Sequence, residues 1–329
     1  MTAQRPIMVA VGGDSGSGKT TLVSGLYRLF GAEHITTISL DDYHSLDRAG
    51  RKRAGVTALD PAANHVELMT EHALRLRAGE TIEKPTYDHA DGTFGPAERV
   101  TPREIVVIRG LFPLFDARMR AAFDVRIWLD PQEELKWAWK VKRDCTQRGY
   151  SVPEVIRQIV ERRGDYLRYI APQKAFADLV VQFHPPAGYF RPGTAVEHDD
   201  AHLNVRIHLH ERLPRLDLDD VLAAGADGAH PAIRIADAAA EARPLHGRAT
   251  TLEIDGTVSP EKASELDGRI WAHMETHRHL RPEEIGRYMD GTVVRHSDPL
   301  ALTQLLIAYQ VVREGMELGA VVEAGATGR

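Results

Sequence analysis

Residues 13–20 read Gly-Asp-Ser-Gly-Ser-Gly-Lys-Thr, and no other feature restricts the fold of this chain so tightly. The run fits G-x-x-x-x-G-K-[ST], with Gly13, Gly18, Lys19 and Thr20 in the fixed positions. It lies between a short apolar run, Ile7 to Val11, and a segment of helical periodicity, Thr20 to Leu29. A strand, a glycine loop and a helix in that order form a phosphate cradle. The glycines let successive backbone N–H groups turn inward, and the helix adds its positive end. Gly13, Asp14, Ser15, Gly16, Ser17, Gly18, Lys19, Thr20 and Thr21 are therefore the candidate ATP-binding residues. Lys19 is placed to reach the β- and γ-phosphates, and the Thr20 hydroxyl to take a place on Mg²⁺.

Further along, strand-like runs alternate with helical ones. His34 to Leu40, Ile105 to Ile108, Phe123 to Leu129 and Asp178 to Phe183 read as strands. Asn64 to Ala78, with Asn64 as N-cap, Gln132 to Gln147 and Val152 to Tyr169 read as helices, and Lys84 to Val100 as a hairpin. This alternation predicts a parallel sheet covered by helices on both faces. His184 to Asp200 and Asp219 to His230 read as connectors. Strand-like pieces follow at Leu203 to Leu209, Ile233 to Asp237 and Thr250 to Ile254, and helices at Pro260 to Glu275 and Pro299 to Leu318, with a frayed end from Glu323. The expected fold is an α/β three-layer sandwich of the P-loop nucleoside-kinase type with a mixed, mostly parallel sheet. Residues 1–211 are expected to form the catalytic domain, and residues 212–329 an α+β extension completing the same fold.

Composition excludes several classes. Net charge is −6, which argues against a general nucleic-acid or membrane surface, so an anionic substrate needs a local basic pocket. No apolar run reaches the length of a membrane span, and the first residues show no signal or transit peptide. The single cysteine, Cys145, permits no internal disulfide. These features together favour the cytoplasm.

Two further clusters carry chemistry. The second strand ends in Asp41, Asp42, Tyr43 and His44, with Arg48 just beyond. In a doubly wound sheet that end faces the ligand crevice, where a carboxylate can accept the proton of an attacking hydroxyl or hold Mg²⁺. If the two acids do neither, they cap a loop. On the helix after residue 132, Lys140, Asp144 and Arg148 fall at i, i+4 and i+8 with Arg143 beside them. They form either a solvated, internally paired face or a lid over the transferring phosphate. Ala138, Val141 and Cys145 form an apolar stripe expected to face the core. Trp137 and Trp139 read as packing residues. In HMETHRH, residues 273–279, His273 and His277 share a helix face, but no third ligand is evident and no structural metal is expected.

With these residues in place, the chain resembles the phosphoribulokinases of plants and cyanobacteria. The resemblance is carried by LDDYHSLDRAGRKRAGVTALDP (40–61), EKPTYDHADG (83–92), ELKWAWKVKRD (134–144) and YIAPQKAFADLVV (169–181). It implies ATP-dependent phosphorylation of ribulose 5-phosphate at its C1 hydroxyl, giving the carbon dioxide acceptor of the Calvin–Benson–Bassham cycle. Asp41 would be the general base. Lys19, Lys140, Arg143 and Asp144 would serve phosphoryl transfer. His44, Arg48, Tyr87, His89 and Arg148 would contact the sugar phosphate. Thr20 and Asp41 would hold Mg²⁺, and the protein would be a homodimer.

The chain departs from that family in two respects. Residues 105–113 read IVVIRGLFP, with Arg109 where the family has a metal-binding glutamate and Phe112 where it has a histidine. Arginine has no acceptor and cannot ligate a cation. Either Asp41, Asp42 or Asp144 supplies the missing contact, or Arg109 binds phosphate directly, or the chain binds ATP without turnover. Ser17 and Ser39 stand where photosynthetic members carry a regulatory cysteine pair, so a thioredoxin-type switch through that pair is chemically impossible here. A kinase for uridine or another sugar is the remaining alternative, since one fold serves many acceptors.

Overall fold

The computed structural model describes residues 5–89, 91–186, 203–226, 231–236, 249–274, 284–291 and 293–326, with side chains as far as residue 316. Its centre is an eight-stranded sheet built from β1 (Ile7–Gly13), β2 (Ile35–Ser39), β5 (Ile105–Gly110), β6 (Val125–Leu129), β7 (Leu179–His184), β8 (Asn204–His210), β9 (Ile233–Ala236) and β10 (Ala249–Ile254). The order is β2-β5-β1-β6-β7-β8-β10-β9. The first five strands run parallel, and β8, β10 and β9 continue antiparallel. A hairpin of β3 (Ile82–Asp88) and β4 (Thr93–Val100) projects beside the sheet. A second hairpin pairs β11 (Arg287–Asp290) with β12 (Val293–His296).

Strand parity divides the core. Along β1, Val9 and Val11 pack into one cluster and Met8 and Ala10 into the other, because alternate residues face opposite sides. The first cluster is closed by α1 (Lys19–Phe30), α8 (Asp219–Gly225), α9 (Pro260–Ala272) and α10 (Asp298–Ala326), the second by α3 (Val66–Arg77) and α4 (Ala117–Ala121). Helix, sheet and helix form the expected three layers. The chain beyond residue 211 adds β9 and β10 to the same sheet.

Helix α10 returns to the start of the chain. Gln304 donates from Nε2 to the carbonyl of Thr21 at 3.3 Å and accepts from the Gly286 N–H at 2.8 Å. It lies flat on α1 at Gly25, where an added Cβ would stand 2.1 Å from Nε2.

Several local expectations need correction. Asn64 does not cap α3. His65 holds that position, while the Asn64 amide is spent on the preceding loop. The run 152–169 is not one helix. α6 (Val152–Glu161) gives way to a single turn, α7 (Arg163–Asp165), and then to π and 3₁₀ turns around Pro172, where proline removes a backbone donor. Asp219–Gly225 is helical rather than a connector, and α10 continues to Ala326. Residues 187–202 and 227–230, and Glu275, His277 and His279, lie outside the described residues. His273 is described, and its Nε2 pairs with Asp220 Oδ1 at 2.8 Å.

Candidate active site

The phosphate loop leaves β1 at Gly13 and enters α1 at Lys19. Gly16 and Gly18 take φ of 85° and 91°, a region that favours glycine. No side chain caps the N-terminus of α1, which leaves its first-turn amides for an anion. Lys19 folds back over the loop, donating to the carbonyls of Gly13 at 2.9 Å and Asp14 at 2.7 Å. Burial pushes its ammonium down to about 8, against the pull of Asp41 and Asp14. The Asp14 carboxylate accepts from the Ser15 N–H and pairs with Lys136 at 3.1 Å.

Helix α5 (Glu133–Arg148) crosses directly over this loop. An added Cβ on Gly16 would lie 3.0 Å from Lys140 Cβ, so the crossing requires glycine. Leu135, Lys140 and Asp144 are the buried residues of α5, whereas Ala138, Val141 and Cys145 are only half-buried. The expected core-facing stripe is therefore not the buried one. The helix turns its polar stripe inward because what lies beneath is a phosphate-binding loop and not apolar core. Asp144 accepts from Lys140 at 2.5 Å and Arg143 at 2.9 Å and pairs with Arg148 at 3.3 Å. Burial alone would raise the Asp144 carboxyl, but Arg143 and Lys140 outweigh it and hold it below the usual carboxylate range. Arg143 also donates to Ser15 Oγ at 3.2 Å, tying lid to loop. Trp139 packs edge-on against Phe183, while Trp137 lines the cleft.

Opposite the lid, the chain leaves β2 in a 3₁₀ turn, Leu40–Tyr43, that carries Asp41 and Asp42. Asp42 is held by Lys84 Nζ at 2.6 Å and the Tyr87 N–H at 3.3 Å, and so belongs to the β3–β4 hairpin. Asp41 points into the cleft. Burial would raise its carboxyl, but Lys19 above all, and Arg109, pull it below the ordinary value. It is ionised at neutral pH.

Beside Asp41, Tyr87 is buried with His44, His89 and Phe94 edge-on around it at 4.8, 5.1 and 5.8 Å. Arg51, from α2 (Arg48–Ala54), caps this aromatic group and donates to the Tyr87 hydroxyl at 2.9 Å. Arg48 donates to the His89 carbonyl at 2.7 Å. His44, Arg48, Tyr87, His89 and Arg148 thus line one cleft together with Asp41 and the phosphate loop. Arg51 and Arg162 line it too. Both escaped the sequence reading. Arg51 sits in a basic run on a seven-residue helix too short to show periodicity, and Arg162 lies at the break after α6.

The cleft encloses ≈ 1650 Å³, more than the roughly 300–1,000 Å³ that suits one small ligand. Lys19, Lys140, Lys142, Arg48, Arg51, Arg109, Arg143, Arg148, Arg162 and Arg295 line it, against Asp41, Asp42 and Asp290. On a chain of net charge −6 this is the local basic pocket that anionic ligands require. The β11–β12 hairpin closes its far side, with Asp290 paired to Lys142 at 2.5 Å and Arg295 at 3.2 Å.

A triphosphate fits the loop. A divalent cation on the Thr20 hydroxyl does not fit the donors present. Arg109 Nη1 donates to Thr20 Oγ1 at 3.2 Å, and a guanidinium there repels a metal ion. Asp42 and Asp144 are already engaged with cations, and Asp41, the remaining candidate, lies in the field of Lys19 and Arg109. Among the described residues no cluster of three or more His, Cys, Asp or Glu suits a metal.

A glycine phosphate loop between the central strand and its helix, carboxylates at the carboxyl end of β2 and a basic lid define a P-loop phosphotransferase of the nucleoside-kinase type. The chain belongs to the Phosphoribulokinase / Uridine kinase family, whose model matches residues 8–187. It is 49% identical over 187 residues to a phosphoribulokinase of Synechocystis sp., covering 56% of each chain. It is 32% identical over 190 residues to a uridine kinase of Brevibacillus brevis, covering 56% of this chain and 87% of that one. The chain spans about half the length of the curated phosphoribulokinases it matches. The solved phosphoribulokinase of Rhodobacter spheroides shares its fold, with a TM-score of 0.56 at 20% identity over 84% of this chain and 98% of that one. Among the described residues no helix is long and apolar enough to cross a membrane.

Proposed function

We propose that this chain transfers the γ-phosphoryl group of ATP to the C1 hydroxyl of D-ribulose 5-phosphate, giving ribulose 1,5-bisphosphate. The observation that carries this reading is the charge of the cleft. Ten Lys and Arg side chains line the cleft that Asp41 enters. A neutral nucleoside acceptor has no use for Arg48, Arg51 and Arg148, whereas a phosphorylated sugar does. In this reading Asp41 takes the proton from the C1 hydroxyl, and the resulting oxyanion attacks the γ-phosphorus in line. Lys19, Lys140 and Arg143 stabilise charge on the transferring group. Asp144 positions those cations, and the two histidines and Tyr87 orient the sugar. Residues 1–211 carry this chemistry, and residues 212–329 complete the cleft.

ADP release with ATP and ribulose 5-phosphate, with uridine as control acceptor, tests the reading. Turnover of order 1 s⁻¹ or faster with the sugar phosphate alone supports it. Turnover only with uridine, or with neither, refutes it. Arg109 against Thr20 favours a second reading, nucleotide binding without turnover, which ATP binding in the absence of ADP release identifies.

A further inference from the structure

Arg109 sits at the carboxyl end of β5, in register with Val11 of β1 and Ser39 of β2. Strand alternation puts it on the same face as Ile105 and Val107, which is the α1 side of the sheet. The next residue, Gly110, packs closely on Leu40 on the opposite face, where an added Cβ would lie 2.5 Å from Leu40 Cβ. The guanidinium reaches the first turn of α1 and donates to Thr20 Oγ1 at 3.2 Å. It also lies close enough to Lys19 and Asp41 to act on the charge of both. Of the four nearby acids that might recruit a metal, Asp41 lies in the field of Lys19 and Arg109, and the other three are paired with cations. Asp14 is held by Lys136, Asp42 by Lys84, and Asp144 by Lys140, Arg143 and Arg148.

We propose that the Arg109 guanidinium takes the place of a protein-held divalent cation, meeting the terminal phosphate oxygens of a nucleoside triphosphate beside Thr20, so that this chain binds the nucleotide without a divalent metal. A planar fork of N–H donors matches phosphate oxygens, and its charge needs no acidic ligand to hold it in position. This rests on the kinase reading proposed above and deepens it by assigning a role to Arg109.

The test is calorimetric titration of the full chain with a non-hydrolysable ATP analogue, once in EDTA and once in excess MgCl₂. The expected affinities differ by less than tenfold. Arg109→Met loses tenfold or more in EDTA, and Arg109→Glu binds tenfold or more tighter with Mg²⁺ than without. Wild-type binding tenfold or more tighter with Mg²⁺ overturns the proposal and leaves the kinase reading intact. So does unchanged affinity of Arg109→Met in EDTA. Absence of binding in both buffers overturns the kinase reading as well. Because the metal ratio is read first on the wild-type chain, the result stands even if a variant fails to fold.

Discussion

The imidazole of His44 and the amide of Asn64 meet at 2.8 Å, from Nδ1 to Oδ1. The Asn64 amide nitrogen donates to the carbonyls of Ala58 at 3.1 Å and Asp60 at 2.8 Å, so Oδ1 must be the atom facing His44. An amide oxygen only accepts, so the His44 proton is on Nδ1 and Nε2 is a bare acceptor. His44 is thereby suited to accept a hydrogen bond from a sugar hydroxyl, and unsuited to bind its phosphate as a cation. Burial, with Arg51 nearby, pushes His44 down to about 4.

Nitrogen-15 NMR checks that assignment. His44 should stay neutral and Nδ1-protonated from pH 8 to pH 5, and Asn64→Ala should release the ring to the Nε2-protonated tautomer. Losing the buried amide should also cost about 1–3 kcal/mol of stability. Titration of His44 near its ordinary value in the wild type would contradict the structure.

Replacing Asp41 with Asn keeps the shape of the turn and removes the base. We expect kcat to fall by about 10²–10⁴-fold, with nucleotide affinity within a few-fold of wild type. A variant retaining more than a tenth of the activity would remove Asp41 from the role of base.

Arg51→Ala should raise KM for the sugar phosphate about tenfold or more, as expected for a lost charge-assisted contact of about 1.5–3 kcal/mol. KM for ATP should stay nearly unchanged. Equal effects on both substrates would mean that Arg51 acts through Tyr87 on the whole cleft.

Asp144 is 1% exposed and neutralises Lys140, which is 5% exposed. Asp144→Ala leaves that ammonium buried and unpaired, at a cost of about 3–5 kcal/mol. The double variant with Lys140→Met should recover most of the lost melting temperature.

Stability should also depend on pH in two opposite ways. His44 is depressed from 6.5 to about 4, so below pH 6.5 the unfolded chain takes up a proton that the folded chain refuses. That contribution is lost as pH falls from 6.5 towards 4. Asp267 is raised from 3.8 to about 7 by burial and by Asp298, and its Oδ1 has no hydrogen-bond partner. Its contribution is full below pH 3.8 and is lost as pH rises through the window to about 7. Thermal melts of Asp267→Asn across pH 4–8 should show the second loss removed and the first untouched.

Much of this arrangement was legible in advance because strands and phosphate loops announce themselves locally. The apolar runs at Ile7, Ile105 and Ile127 and the glycine loop each became an element within a residue or two of the expected bounds. The lid helix misled because amphipathicity identifies an inward face only when apolar core lies beneath it. On α5 Lys140 and Asp144 turn inward, and no periodicity reports what a helix is packed against. The β11–β12 hairpin was missed because Arg287–Asp290 alternates in burial but not in polarity, and Val293 and Val294 are both apolar yet both exposed. Its place in the cleft depends on Lys142 and Asp290, which lie far apart in sequence.

The Gln304–Thr21 hydrogen bond spans 283 positions along the chain. Bringing such distant segments together costs loop-closure entropy before any contact rewards it. The first helix therefore emerges from the ribosome long before the residue that braces it. Nucleotide binding is then expected late in folding, after α10 has docked, and the appearance of nucleotide affinity becomes a clock for the final assembly of the molecule.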